Sequence, residues 1–378
     1  RRCAIYDVAE KPEAPAGADA VGGRVLTDEE KRQRRELLEE VGRDGLDRTV
    51  ERAAYTWFNR IAAIRFMEVN DRLPSRTRLL SANDGSFRPQ ALQEPLSVDI
   101  EGLDRAEVAR LVQEGDDEAT FRCLFLAQCH ELAECMPGVF ERVGAAMELL
   151  LPDGLLREGG VVERMVDGIP ESDWAEGVEI VGWAYQYYNQ ERKDEYFASK
   201  RKATADDIAP ATQLFTPEWI VRYLVENSLG RLWMLNFPDS RLKDSMEYYI
   251  DPGEDHEEDF LRIESPEDIT FCDPCCGSGH ILVYAFDLLA RMYEEQGYSR
   301  REIPRLVLEK NLTGIEIDRR AGQLASFALT MKACEYDRRF LSRGVRPSVT
   351  VLQPVRFGEG ELAGTDLLAQ GHDLLDAF

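Results

Sequence analysis

The sequence has little positive charge for its length: 46 Lys and Arg against 71 Asp and Glu leave a formal net charge of −25 over 378 residues. That balance favours solubility and argues against this stretch alone presenting a nucleic-acid groove, since phosphate backbones are held by Lys and Arg. No run of eighteen apolar residues occurs, so no membrane-spanning segment is expected. The opening RRCAIYDVAEKPEAPAGADAVGG lacks the apolar core of a signal peptide, and residues 1–26 read as a loose leader. An initial Met is also missing and the chain stops at GHDLLDAF, so it reads as a piece of something longer. The eight cysteines, scattered and without a secretory signal, read as reduced thiols of a cytoplasmic protein.

Strand signals are scarce up to about Ala205. T-D-E-E at Thr27–Glu30 is a capping box ahead of a charged helix. In the next helix Val50, Ala54, Trp57, Ile61 and Ile64 recur at three- and four-residue steps and predict a buried stripe. Trp57, Phe58 and Phe66 read as core, with Arg60 and Arg65 solvated or ion-paired. Further helices are predicted over 103–115, 119–135, 159–167 and 177–198. In the last of these Trp183, Tyr187 and Tyr188 read as packing residues, so both Trp57 and Trp183 are expected to be buried. Residues 27–205 therefore read as an all-helical N-terminal domain.

From about Asp206 the texture changes. Thr216 is placed as an N-cap and Pro217 at the first helical position. An acid-rich stretch, DPGEDHEEDFLRIESPED, reads as an exposed hairpin-like insertion. Strand–helix alternation follows: DITFCDP, then SGHILVYAFDLLARMYEEQG, LTGIEID, RRAGQLASFALTMKACEYD and PSVTVLQ. This spacing predicts a parallel α/β sheet with flanking helices in residues 206–378.

The segment FCDPCCGSGH at 271–280 carries the chemistry. A zinc knuckle would need a second ligand pair, which does not follow, and no metal site is predicted. A phosphate loop would need G-K-[ST], but His280 and Ile281 follow Gly279. A dinucleotide fingerprint would need a third glycine at Leu282, and its acidic residue much sooner than Glu316. What remains is a strand ending in Asp273-Pro274, a Gly277-Ser278-Gly279 turn and a helix N-terminus. Glycines admit a ligand to the backbone, the helix dipole suits a carboxylate, and a nearby acid suits an ammonium or sulfonium. Glu316, closing the next strand, is placed for ribose hydroxyls. A ligand with carboxylate, ammonium and ribose together is S-adenosylmethionine.

D-P-x-C-G-S-G-H at 273–280, G-I-E-I-D at 314–318 and Q-L-F-T-P at 213–217 resemble the cofactor motifs of amino-DNA methyltransferases in permuted order. AYTWFNRIAAIRFME, ATQLFTPEWIVRYLV, LKDSMEYYI and NLTGIEIDRRAGQLASFAL narrow the resemblance to the PglX family, the adenine-specific DNA methyltransferases of BREX phage-defence systems. It spans about residues 25 to 355. The resemblance implies a Rossmann-like methyltransferase domain binding S-adenosylmethionine. Phe215, Thr216 and Pro217 would line the methionine end, and Asp273, Pro274, Gly277 and Gly279 would form the cofactor loop. Glu316 with Ile317 would meet ribose and adenine, and Gln353 would stand near the adenine.

Adenine methylation needs an [NDS]-P-P-[YFW] element, whose polar side chain and carbonyl hold the exocyclic amine while its aromatic stacks on the flipped base. The sequence has no Pro-Pro pair. It is therefore expected to hold the cofactor half of a site, with no catalytic residue assigned here. Double-stranded DNA would be bound through a missing C-terminal part, and other BREX proteins are candidate partners. The alternative is a catalytically silent S-adenosylmethionine-binding module of the defence assembly.

Overall fold

A computed structural model describes residues 1–140, 145–199, 201–202, 205–212, 216–251 and 260–353. The helical half begins with α1 (Asp28–Asp44), whose N-terminus is closed by the predicted capping box. Thr27 accepts from Glu30 N at 3.1 Å and Glu30 returns a carboxylate to Thr27 N at 2.9 Å. The first 26 residues, expected to be loose, are instead laid against α1. Their hold is Arg34, fully buried, which donates to the carbonyls of Tyr6, Pro15 and Ala14 at 2.7, 2.7 and 3.0 Å. Tyr6, Val8, Val21 and Leu26 pack with Leu37 and Val41 around it. Within this stretch Ala20–Val21 and Arg24–Val25 pair as a two-residue antiparallel ribbon.

Helix α2 (Leu46–Val69) runs through the middle of the molecule. Its stripe is buried from Trp57 onward, at Ile61, Ile64 and Phe66, whereas Val50 and Ala54 are exposed. Arg60 lies over the Trp57 ring, 5.1 Å from its centroid. Arg65 is ion-paired and dry: it meets Glu68 at 2.7 Å and Glu171 at 3.1 Å. Helix α3 (Asp117–Cys135) supplies Phe121 and Phe125, the latter against Trp57.

Helix α4 (Glu179–Ser199) buries Val181, Tyr185 and Asn189, a four-residue repeat. Trp183 and Tyr187, two residues out of phase, fall on the other side. Trp183 is 37% and Tyr187 73% exposed, so the expected burial of Trp183 is overturned. Tyr188 keeps partial packing against Tyr55 and Phe58.

In the second half, β1 (Phe271–Asp273), β2 (Leu312–Glu316) and β3 (Ser348–Val351) form a parallel sheet in that order. Helix α6 (His280–Glu295) joins the first pair and α7 (Arg319–Tyr336) the second, with α5 (Glu218–Val225) packed beside α6. Residues 252–259 of the acid-rich insertion lie outside the described residues. Helices α2 and α4 rest on α7, where Phe66 meets Phe327 edge-on at 5.8 Å. A single hydrophobic core thus runs from Trp57 and Phe125 to Phe286 and Phe327. The small parallel sheet among many helices is compatible with a methyltransferase fold. Among the described residues, no helix is long and apolar enough to cross a membrane.

Candidate cofactor site at the sheet's carboxyl edge

Parallel strands deliver their carboxyl ends to one edge, and the predicted loop stands there. Asp273 ends β1, 8% exposed, and its Oδ1 accepts from Cys275 N at 3.1 Å. Burial pushes its carboxyl above the usual range, and the neighbouring Glu316 charge adds to this against the Cys275 bond. Cys276 N reaches across to Ile315 O at 3.0 Å, and Gly279 N closes the turn on Cys276 O at 2.8 Å. Cys276 is buried against Gly314, whereas Cys272 and Cys275 are exposed.

The two glycines do different things. Gly279 caps α6 at φ 89°, and a Cβ there would stand 3.0 Å from Cα and Cβ of Ala325 on α7. Its job is helix–helix approach. Gly277, at φ 54°, has no atom within 4 Å of where its Cβ would be. Its missing side chain opens onto free space, as a ligand approaching the backbone requires. Between them Ser278 is 4% exposed, with a buried hydroxyl oxygen that finds no partner among the described residues. A buried orphan of this kind calls for an explanation, and a polar ligand group supplies one.

Glu316 ends β2, 9% exposed, and organises the edge. Its Oε2 accepts from Gly277 N at 2.7 Å, and its Oε1 from Ile317 N and Asp318 N, both at 2.9 Å. A carboxylate offers about four lone-pair positions. Three are engaged here, so a ribose diol would take the fourth and displace or share one backbone N–H. Flanking it, Ile317 is 57% and Leu352 52% exposed: two uncovered apolar side chains at neighbouring strand ends, suited to the faces of a flat base. Gln353 follows Leu352 and is exposed.

The third motif arrives through His280. Its imidazole is held down at about 4 by burial, against a hydrogen bond to the Thr216 backbone. That bond places Thr216 beside the start of α6. Pro217 is the N-cap of α5 and Glu218 its first residue, one position later than predicted. Glu226, fully buried, locks α5 down by accepting from Tyr284 OH and Tyr248 N, both at 2.5 Å. Phe215 lies outside the described residues.

Thr216, Pro217, Asp273, Pro274, Gly277, Gly279, Glu316 and Ile317 thus come from three separate stretches to one region of the molecule, with Gln353 at the adjoining strand end. Ser278, Leu352 and Asp318 were not picked out by sequence reasoning. Asp318 had a readable signal: it stands as an N-cap directly before a helix, and its side chain accepts from Arg320 N at 3.0 Å. The loop, the acceptor carboxylate and the apolar strand ends fit S-adenosylmethionine.

The MmeI DNA-methyltransferase domain family matches residues 258–354. The chain is 45% identical over 341 residues to the adenine-specific methyltransferase BrxX of Escherichia coli O9:H4 (strain HS), covering 87% of this chain and 28% of that protein. It is 41% identical over 359 residues to the adenine-specific methyltransferase PglX of Lacticaseibacillus casei (strain Zhang), covering 86% of this chain and 30% of that protein. The chain therefore spans less than a third of the curated relatives it matches. Along most of its own length, it is a homologue of the PglX/BrxX family of adenine-specific methyltransferases.

Proposed function

We propose that this chain is the cofactor-binding portion of a site-specific DNA adenine methyltransferase of a BREX phage-defence system. The observation that carries the reading is the Glu316–Gly277 bond: the acidic end of β2 and the glycine loop after β1 meet in one site. Residues 206–378 form its Rossmann-like methyltransferase part, and residues 27–205 a helical domain that supports it. Asp273, Pro274, Gly277 and Gly279 shape the loop, and Glu316 takes the ribose. Ile317 and Gln353 border the adenine, and Phe215, Thr216 and Pro217 the methionine end. S-adenosylmethionine, when bound, supplies an electrophilic methyl group on sulfonium for transfer to the exocyclic amine of adenine.

The protein's contribution on this side of the reaction is orientation. The N-terminus of α6 faces the loop and favours a carboxylate, while buried acids favour the cationic groups. The Pro-Pro element that would hold the flipped base, and the basic surface for double-stranded DNA, belong to the rest of the protein, which acts in the cytoplasm with other BREX proteins.

The test is transfer of tritiated methyl to host and phage DNA, with this chain and the full-length protein in parallel. The full-length protein should label adenine, and the chain alone should label nothing. Cofactor binding without transfer by the full-length protein, even with the other defence components added, would replace this reading with a silent module.

A further inference from the structure

The turn that carries Glu316 is held from outside the sheet. Asp318 Oδ2 accepts from the hydroxyl of Tyr185, on α4 of the helical half, at 2.6 Å. The backbone N–H of Asp318 donates to Glu316 Oε1 at 2.9 Å, and Glu316 Oε2 accepts from Gly277 N at 2.7 Å. Hydrogen bonds thus connect Tyr185 to the Asp318 side chain, and the Asp318 backbone N–H to Glu316 and the glycine loop.

The outer end of this connection is rigid. Tyr185 is 1% exposed and meets the Tyr55 ring edge-on, with centroids 5.6 Å apart. The Tyr55 hydroxyl donates to Asn189, one turn further along α4. From the sheet side, the Arg320 guanidinium lies 3.5 Å over Tyr55 and 3.3 Å from Glu51 on α2. A buried O–H···O⁻ bond belongs to the strong, short class. A plain strap between the helical half and α7 would need only packing, and Phe66 of α2 on Phe327 already provides that. The hydroxyl is aimed instead at the one side chain that both caps α7 and borders Glu316.

We infer that Tyr185 is a positioning residue for the cofactor site: acting through Asp318, it fixes the orientation of the Glu316 carboxylate, so that the helical half sets the affinity for the adenosine end of the ligand. The inference rests on the S-adenosylmethionine reading above. Without the hydroxyl, Asp318 retains its cap but can turn, and its N–H no longer holds Glu316 Oε1 in one place.

The experiment is titration calorimetry of S-adenosylhomocysteine against the full-length protein, using the wild type, Tyr185→Phe, Glu316→Gln and the double variant. Urea midpoints are measured beside it. Tyr185→Phe should weaken binding roughly five- to tenfold at a temperature where all forms are folded, the low end of usual coupling between linked sites. In the Glu316→Gln background the same change should add less than about twofold, because groups acting through one another are not additive. If Tyr185→Phe does not fold, Asp318→Asn, an equally good cap, takes its place. Unchanged affinity in the single variant, or fully additive losses, overturns the inference and leaves Tyr185 a structural strap. A wild type that binds no ligand at all overturns the cofactor reading itself, which is a different result.

Discussion

Alanine substitution at the two loop glycines should separate folding from binding. Gly279 has φ 89° and ψ 18°, where a Cβ costs about 1–2 kcal/mol. Its added methyl would also stand 3.0 Å from Cα of Ala325, a backbone atom of α7 that cannot swing aside as a side-chain tip would. Overpacking of that kind costs about 1–3 kcal/mol. Gly279→Ala should therefore destabilise the protein by roughly 2–5 kcal/mol. Gly277, at φ 54° with nothing within 4 Å, carries the conformational cost alone, about 1–2 kcal/mol. Its methyl would enter the space assigned to the ligand, and affinity should fall roughly five- to hundredfold for an overpacking cost of ~1–3 kcal/mol. Urea unfolding followed by circular dichroism reads the first effect and calorimetry with S-adenosylhomocysteine the second. Equal stability losses in the two variants, or wild-type affinity in Gly277→Ala, would refute the assignment of roles.

Two further outcomes follow from buried groups. His280 is held at about 4, against an ordinary value of 6.5. Between these values the unfolded chain binds a proton that the folded chain does not. This contribution to stability is therefore complete above pH ~6.5 and is lost as pH falls toward ~4, by up to roughly 3 kcal/mol. The wild-type minus His280→Gln difference in unfolding free energy should shrink on acidification through that window, and a pH-independent difference would contradict the burial argument. Glu68 accepts from Leu79 N, Leu80 N and Ser81 Oγ at 2.9, 2.8 and 2.9 Å and pairs with Arg65, both side chains being fully buried. Glu68→Ala leaves the dry guanidinium with the Ser81 hydroxyl and the partly exposed Glu171 carboxylate and should cost about 3–5 kcal/mol in urea unfolding. A loss below ~1 kcal/mol would mean that water replaces the carboxylate.

The sheet half was the more legible part, for a physical reason. Its strands are short apolar runs separated by helical periods, and its loop needs residues at positive φ, a demand that only glycine meets cheaply. DITFCDP, GIEID and the Gly277–Gly279 turn could therefore be placed by local chemistry alone. Contacts between distant segments could not. Arg34 secures the first residues of the chain through backbone carbonyls, which leave no trace in residue identity. On α4, Trp183 with Tyr187 and Tyr185 with Asn189 are both spaced by four, so periodicity alone offers two faces. Packing against α2 and α7 chose the one with the smaller aromatic. The same choice delivered the Tyr185 hydroxyl to Asp318, a pairing between residues 133 positions apart. Glu316 was legible as an acceptor at a strand end, but not as a side chain already engaged by three backbone N–H groups.

The central claim, that the carboxyl edge of this sheet holds S-adenosylmethionine through Glu316, is tested most directly by calorimetry in EDTA on the wild-type chain and Glu316→Ala. The wild type should show saturable binding without metal. The variant loses an acceptor whose charge-assisted bonds contribute roughly 1.5–3 kcal/mol each, so its affinity should fall at least about tenfold. Binding of equal strength in both proteins would remove Glu316 from the site, and no binding by either would contradict the account.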